Sequence, residues 1–387
     1  MANVPFVAKL QRKTKETPLR NLTNWCLAAS LSMAVAAANA QILIGQSAGF
    51  SGPVAAGVKE TTDGAKLYID DINAKGGVGG QTIELISLDD KFDPKLTAEN
   101  GRILVEERKV LSLFLTRGTP HTQSLFPLLD KTGVPLVGPS TGAMVMHSPV
   151  QKTLFNVRAT YQREAESIAA FLTALGPTSV GIVHADDSFG RDALEGALAG
   201  FAKTNQKPSV VIPADRSNPN FEEIIPALLQ AKVQSVLWFG SGTSVSKGVK
   251  ALREAKSVAQ VATLSNNASS GFIKGLGEYG RGVIVSQVFP GVRTADYPMV
   301  NEARKLAKVK GIELSPAMLE GYAAAKVLVE GLRRAGANPT RESLVKALES
   351  IKSYDLGGLT VDYASNDHTG LSFSDFAIIG PSGKFRR

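Results

Sequence analysis

Cysteine is almost absent from this chain of 387 residues: the one thiol, Cys26, lies within the first forty. Past that point the chain can form no disulfide and offers neither a thiolate metal ligand nor a thiol nucleophile. A core of this size stands without such staples. Aromatic residues are scarce, at 6% with two Trp and seven Tyr, and no run of Lys and Arg is interleaved with them. A surface for nucleic acid needs both, so nucleic acid is not an expected partner. The four histidines, His121, His147, His184 and His368, have no H-E-x-x-H or other metal-ligand spacing. No G-x-x-x-x-G-K-[ST] phosphate loop occurs. Neither a metal nor a cofactor is expected.

The first forty residues have a pattern of their own. Lys9, Arg12, Lys13, Lys15 and Arg20 precede an apolar stretch, Trp25 to Ala38, which runs into Ala38-Asn39-Ala40. This is the basic, apolar and small-residue order of a secretory signal, with cleavage expected after Ala40. The residues before Cys26, Leu22-Thr23-Asn24-Trp25, lack the small side chains of a lipoprotein cleavage box. The basic part is long for a signal, as it would be if the written start lay upstream of the true one. Removing these residues leaves 38 basic against 34 acidic side chains, so the net charge falls from +8 to +4.

Beyond residue 40, short Val/Ile/Leu-rich runs alternate with longer helical patterns. Gln41 to Gln46 reads as a strand, followed by a helix from about Pro53 to Ala74, in which Val58, Thr62, Ala65, Ile69 and Ile72 share one face. Gly76 to Gly80 has the glycine count of a dinucleotide fingerprint but follows a helix where that motif must follow a strand, and is a turn. Strand runs that are apolar throughout are buried on both faces, so the class is α/β with parallel sheets. A second series of the same kind begins after residue 160, so two α/β domains are expected.

Ligands of open α/β sheets sit beyond the carboxyl ends of the strands. The segments there include Ser47 to Pro53, Asp89 to Pro94, Thr116 to Gln123, Gly138 to Ala143, His184 to Gly190, Gly240 to Ser244 and Leu264 to Gly271. They are rich in glycine and small hydroxyls and short of groups for acid-base work. The loop "GPSTGA", Gly138 to Ala143, could be a phosphate cradle, the seat of a nucleophilic serine, a carboxylate nest or a plain turn. Ser140 does not stand in a G-x-S-x-G elbow, and no Asp then His succession follows in hydrolase order. An enzyme is therefore not expected.

The collinear set "SGPVA", "DINAKGGVGG", "DDKFDP", "HTQ", "GVPLVGPSTGA" and "IVHADDSFGRD" resembles the type I periplasmic solute-binding proteins, in their branched-chain amino acid class. The resemblance runs through the whole chain after residue 40. It implies two doubly wound lobes joined by three crossings, near 157–159, 289–291 and 354–358. The first lobe would be 41–158 plus 290–355 and the second 159–289 plus 356–387. The implied role is the extracytoplasmic binding component of an ABC importer: a periplasmic monomer that closes its lobes on a small carboxylate-bearing solute and docks on a membrane permease.

Carried over residue by residue, the resemblance puts the ligand carboxylate on the hydroxyl of Thr119 and the N–H of Gly142, and the ligand amine on the carbonyl of Ser140. Phe189 would be the aromatic lid, Ser241 in the loop after Phe239 a further contact, and His121 a neighbour. Neutral donors at a helix N-terminus suit a carboxylate. Two positions depart from the pattern. The acid that pairs with the ligand ammonium is replaced by Ser265, next to Asn266, so either Asp186 or Asp187 substitutes or the ligand carries no ammonium. Gly57 stands where an aromatic can project from the first lobe, leaving Phe50 to fill the space or the pocket wider. The alternatives carried forward are a binder of a non-amino organic or aromatic acid, and a ligand sensor on the same fold.

Overall fold

The computed structural model describes residues 1–2, 41–174 and 179–386. The signal expected over residues 1–40 lies, but for its first two residues, outside the described residues. The chain from Gln41 onward contains β1 (Gln41–Ala48), α1 (Ala55–Ala74), β2 (Thr82–Asp89), α2 (Pro94–Arg102), β3 (Ser112–Phe114), α3 (Thr119–Gln123), α4 (Phe126–Thr132), β4 (Leu136–Val137) and β5 (Leu154–Phe155). The strands pair in parallel in the order β2-β1-β3-β4-β5. Ile42 and Ile44 face a core that Leu67, Ile69 and Ile72 of α1 enter from one side, while Leu104, Val110, Leu129 and Met146 pack on the other. Burial on both faces explains why the inner strands read as apolar runs, while the edge strand β2 is largely exposed.

A second series follows: α5 (Tyr161–Ala174), β6 (Val180–Ala185), α6 (Ser188–Lys203), β7 (Val210–Ala214), α7 (Phe221–Gln230), β8 (Ser235–Phe239), α8 (Gly242–Glu254), β9 (Gln260–Thr263), α9 (Ser270–Leu276) and β10 (Ile284–Gln287). The chain then returns through α10 (Pro298–Val309), α11 (Pro316–Ala335), α12 (Arg341–Glu349) and the short hairpin β11 (Tyr354–Asp355) and β12 (Thr360–Val361). It ends in β13 (Asp375–Ile379) and β14 (Phe385–Arg386). The second sheet has the order β14-β13-β10-β9-β8-β6-β7, parallel except for the antiparallel pairings of β13 with β10 and β14. The expected α/β class with two doubly wound lobes is therefore the observed one, with an antiparallel edge added to the second sheet.

Core membership locates the crossings. Phe155, Val157 and Ala159 lie in the first core and Tyr161 in the second; Val285 lies in the second and Val288 and Phe289 in the first. The third crossing differs from the expected 354–358. Leu356, Leu359, Val361, Tyr363 and Leu371 are all buried in the first core, and the chain reaches the second sheet only at β13. The hairpin of β11 and β12 adds these apolar residues to the core that holds Met299 and Ile351, and Phe373 also packs on it, so the boundary falls after Phe373 rather than at the Gly357-Gly358 turn. No described helix is long and apolar enough to cross a membrane.

Two helices position the cleft. In α1 and α11, glycines allow backbone-to-backbone contact: a Cβ on Gly64 would lie 1.9 Å from the Met318 carbonyl oxygen, and one on Gly321 would lie 1.8 Å from that of Thr61. α1 thereby holds its N-terminal turn, next to Gly52-Pro53-Val54, over the gap between the lobes. Its N-cap is Val54, with no side chain capping the first turn, whereas Ser241 and Ser269 cap α8 and α9 from the facing lobe.

Candidate functional site

Loops at the carboxyl ends of strands from both sheets meet in the cleft, and the lobes are in direct contact there. Glu60 of α1 accepts hydrogen bonds from the backbone N–H groups of Ser270 (2.9 Å) and Gly271 (2.8 Å) at the start of α9. Thr243 donates its hydroxyl to the carbonyl of Pro53 (3.1 Å), and Ser188 donates its hydroxyl to Oε1 of Gln123 (2.6 Å). A cavity of about 280 Å³ remains between the lobes. Its walls are the segment 52–57 on one side and Gly242, Thr243, Asn266 and Phe272 on the other.

The guanidinium of Arg117 forms part of that wall. It extends from the loop after β3, donating from Nη1 to the Ser140 hydroxyl (2.8 Å) and from Nη2 to the Asn266 carbonyl across the cleft (2.7 Å). Arg117 is 5% exposed, and burial lowers its pKa from the ordinary arginine value. No carboxylate of the described residues lies within ion-pair distance of it: its hydrogen-bond acceptors are neutral, and Glu320 acts on its charge only from farther off. Gly57 is what keeps the cavity open beside it: a Cβ there would lie 3.5 Å from Arg117 Nη2.

Two more arginines line the seam. Arg158 in the first crossing is bound by Glu164, donates to the Ser265 hydroxyl (2.8 Å) and stacks on Tyr161 at 4.4 Å. Burial works against its charge, but Glu164 beside it prevails and holds the pKa above the ordinary range. Glu164 is itself fully buried and accepts from the Ser265 N–H (2.9 Å) and the Ser286 hydroxyl. Arg216 pairs with Asp187 at 2.8 Å and lies over two rings, Phe92 of the first lobe at 4.9 Å and Phe189 of the second at 4.5 Å.

Against this geometry the residues singled out from the sequence divide. Asn266 lines the cavity, and its Oδ1 is buried without a hydrogen-bond partner while its Nδ2 donates to the Gly240 carbonyl (3.0 Å). Ser140 adjoins the cavity through Arg117. Thr119 and Gly142 are not among the lining residues: the Thr119 hydroxyl shares a hydrogen bond with Thr141 (2.8 Å), and the Gly142 carbonyl accepts from Tyr161 N–H (2.7 Å). Gly142 is small for a packing reason, since a Cβ would come 2.5 Å from the carbonyl oxygen of Ala159 in the crossing strand. Phe189 is fully buried, edge-on to Tyr161 at 4.9 Å. Ser241 caps α8 and Ser265 joins the Arg158 network.

Phe50 packs beside Ala48, Val54, Val58 and Phe92 rather than filling the space at Gly57. His121 stacks on Phe92 at 4.1 Å, and burial pulls its pKa down to about 4. The candidate substitutes for the missing acid are engaged elsewhere, Asp186 with Arg191 (2.7 Å) and Asp187 with Arg216. The sequence reading passed over Arg117, Arg158 and Arg216. The signal for the first was a lone cation one residue beyond the apolar run Leu113-Phe114-Leu115, in "LFLTRG".

The chain was compared with known proteins. The family model described as periplasmic binding protein matches residues 41–377. A Leu/Ile/Val-binding protein homolog 3 of Brucella melitensis is 25% identical over 367 residues, covering 92% of this chain and 96% of the relative. The Leu/Ile/Val-binding protein BraC3 of Rhizobium johnstonii is 28% identical over 361 residues, covering 90% and 94%. A solved substrate-binding periplasmic protein from Ralstonia solanacearum superposes with a TM-score of 0.82 at 30% identity, covering 89% of this chain and 99% of its own. These relatives are named as solute-binding proteins, not as enzymes. With a family model spanning nearly all of the chain after residue 40, and the matching two-lobed fold, the chain belongs to the periplasmic binding protein family.

Proposed function

We propose that the protein is the extracytoplasmic binding component of an ABC importer. It captures a small carboxylate-bearing solute, a branched-chain or related amino acid or another organic acid, between its two lobes, and no bond is made or broken. Residues 1–40 direct export and are removed after Ala40, and the mature monomer presents its loaded, closed form to a membrane permease. The names of the relatives support the solute class. The observation that carries the carboxylate is Arg117, the one charged residue among those lining the interlobe cavity. A solute held by groups from both lobes favours the closed form by its differential affinity for that form.

A thermal-shift screen of L-amino acids and simple organic acids tests this. A ligand at a thousandfold its dissociation constant stabilises the folded protein by about 4 kcal/mol, which raises Tm by several degrees for a chain of this size. The reading fails if no carboxylate in the panel raises Tm while a neutral sugar or a cationic amine does.

A further inference from the structure

We infer that the acid captured in this cavity carries no ammonium group: Arg117 is the counter-ion of its carboxylate, and Asn266 Oδ1 accepts a hydrogen bond from a neutral donor of the ligand or a water beside it. This rests on the carboxylate reading above and narrows it. The cavity wall holds one cation and no acidic side chain. The guanidinium already spends Nη1 and Nη2 hydrogens on Ser140 and Asn266, yet both acceptors are neutral, and Glu320 is too far off to form an ion pair with it. A carboxylate against that face supplies the missing charge, and the uncapped first turn of α1 adds its positive end to the same space.

An α-amino acid would bring a desolvated ammonium into the same volume, and no acid lines that volume to meet it. Glu60 receives two backbone N–H groups of α9, Glu164 holds Arg158, Asp187 holds Arg216, and the buried Glu320, 3.8 Å from Arg158, stands outside the cavity wall. Of the polar groups at the wall, Asn266 Oδ1 is buried and unpartnered, and a single amide oxygen does not neutralise a buried ammonium. The apolar remainder of the wall, Val54, Ala55, Ala56 and Phe272, suits a short hydrocarbon body. At about 280 Å³ the space is small, at the low end for a ligand site.

Isothermal titration of the purified protein with L-leucine, with 4-methylpentanoate (the same carbon frame without the amine), with benzoate and with L-leucinamide tests this. One of the two amine-free acids binds at least about tenfold more tightly than L-leucine, and L-leucinamide does not bind. Arg117→Gln then weakens that acid by about tenfold to a hundredfold, the worth of a charged hydrogen-bonded contact. Should Arg117→Gln fail to fold, Gly57→Leu, which fills the space and keeps the guanidinium, abolishes binding of the acid. Tighter binding of L-leucine than of both acids overturns the inference and leaves the carboxylate reading standing. Binding of L-leucinamide alone, or of none of the four, overturns both. Acid binding that survives Gly57→Leu unchanged also overturns the inference, since the acid would then lie elsewhere.

Discussion

Arg117 of the first lobe reaches across the cleft and hydrogen-bonds the backbone carbonyl of Asn266 in the second, 2.7 Å away. A side chain of one lobe thus touches the loop that would contact a solute from the other.

Glu60 spans the same gap from the outer side, its carboxylate at the first N–H groups of α9. Glu60→Gln keeps the shape and removes the charge that favours a helix N-terminus, a contribution of about 1 kcal/mol. Solute affinity should fall about fivefold through a faster dissociation rate, with little change in the Tm of the ligand-free protein. A stopped-flow measurement of the two rate constants checks this; an unchanged dissociation rate would show that the contact contributes nothing to closure.

Glu164 is the shared acceptor of Arg158, Ser265 and Ser286. Replacing it with Ala leaves a buried guanidinium without its carboxylate, a change that typically costs about 3 to 5 kcal/mol. Urea unfolding should show the midpoint falling at unchanged m-value. A loss below about 1 kcal/mol would mean that water or Glu320, 3.8 Å from Arg158, takes over.

Gly64→Ala and Gly321→Ala each place a methyl group where a backbone carbonyl of the partner helix now stands. The helices must part, and each change is expected to cost at least about 2 kcal/mol. Differential scanning calorimetry of the two variants measures it. Gly57→Ala, whose Cβ meets nothing closer than 3.5 Å, should be near neutral in the same experiment.

His121 and His147 are buried, and burial lowers each pKa from 6.5 to about 4. The folded state thus prefers the neutral ring, whereas the unfolded chain takes up a proton below pH 6.5. Stability is unpenalised above that pH and is lost as pH falls from 6.5 towards 4, by up to about 3 kcal/mol for each histidine. Asp192, raised to about 6 by burial, opposes the trend by favouring its protonated form in the fold. The clean measurement is the difference in unfolding free energy between the parent and His121→Gln at pH 7.5 and 5. That difference should move in favour of the variant at the lower pH; a constant difference would mean the ring does not titrate as described.

The α/β class, the two-lobed plan and the family were legible in the sequence, because strands buried on both faces must be apolar throughout and doubly wound sheets place their loops at strand ends. The lone cysteine within the first forty residues, the scattered histidines and the missing phosphate-loop motif were likewise legible there. The tertiary structure decided what each strand-end residue touches. Thr119 turned to Thr141, Phe50 to Phe92 and Ser265 to Arg158, each a pairing between segments distant in the chain. The third crossing falls after Phe373 because apolar burial on the first core continues past the turn at Gly357-Gly358. Arg117 came to a cleft described from the sequence as short of charge. A cation after a strand carries no local mark of its partners, and only the approach of Ser140 and Asn266 from two lobes shows that it is buried on neutral acceptors without a direct ion pair.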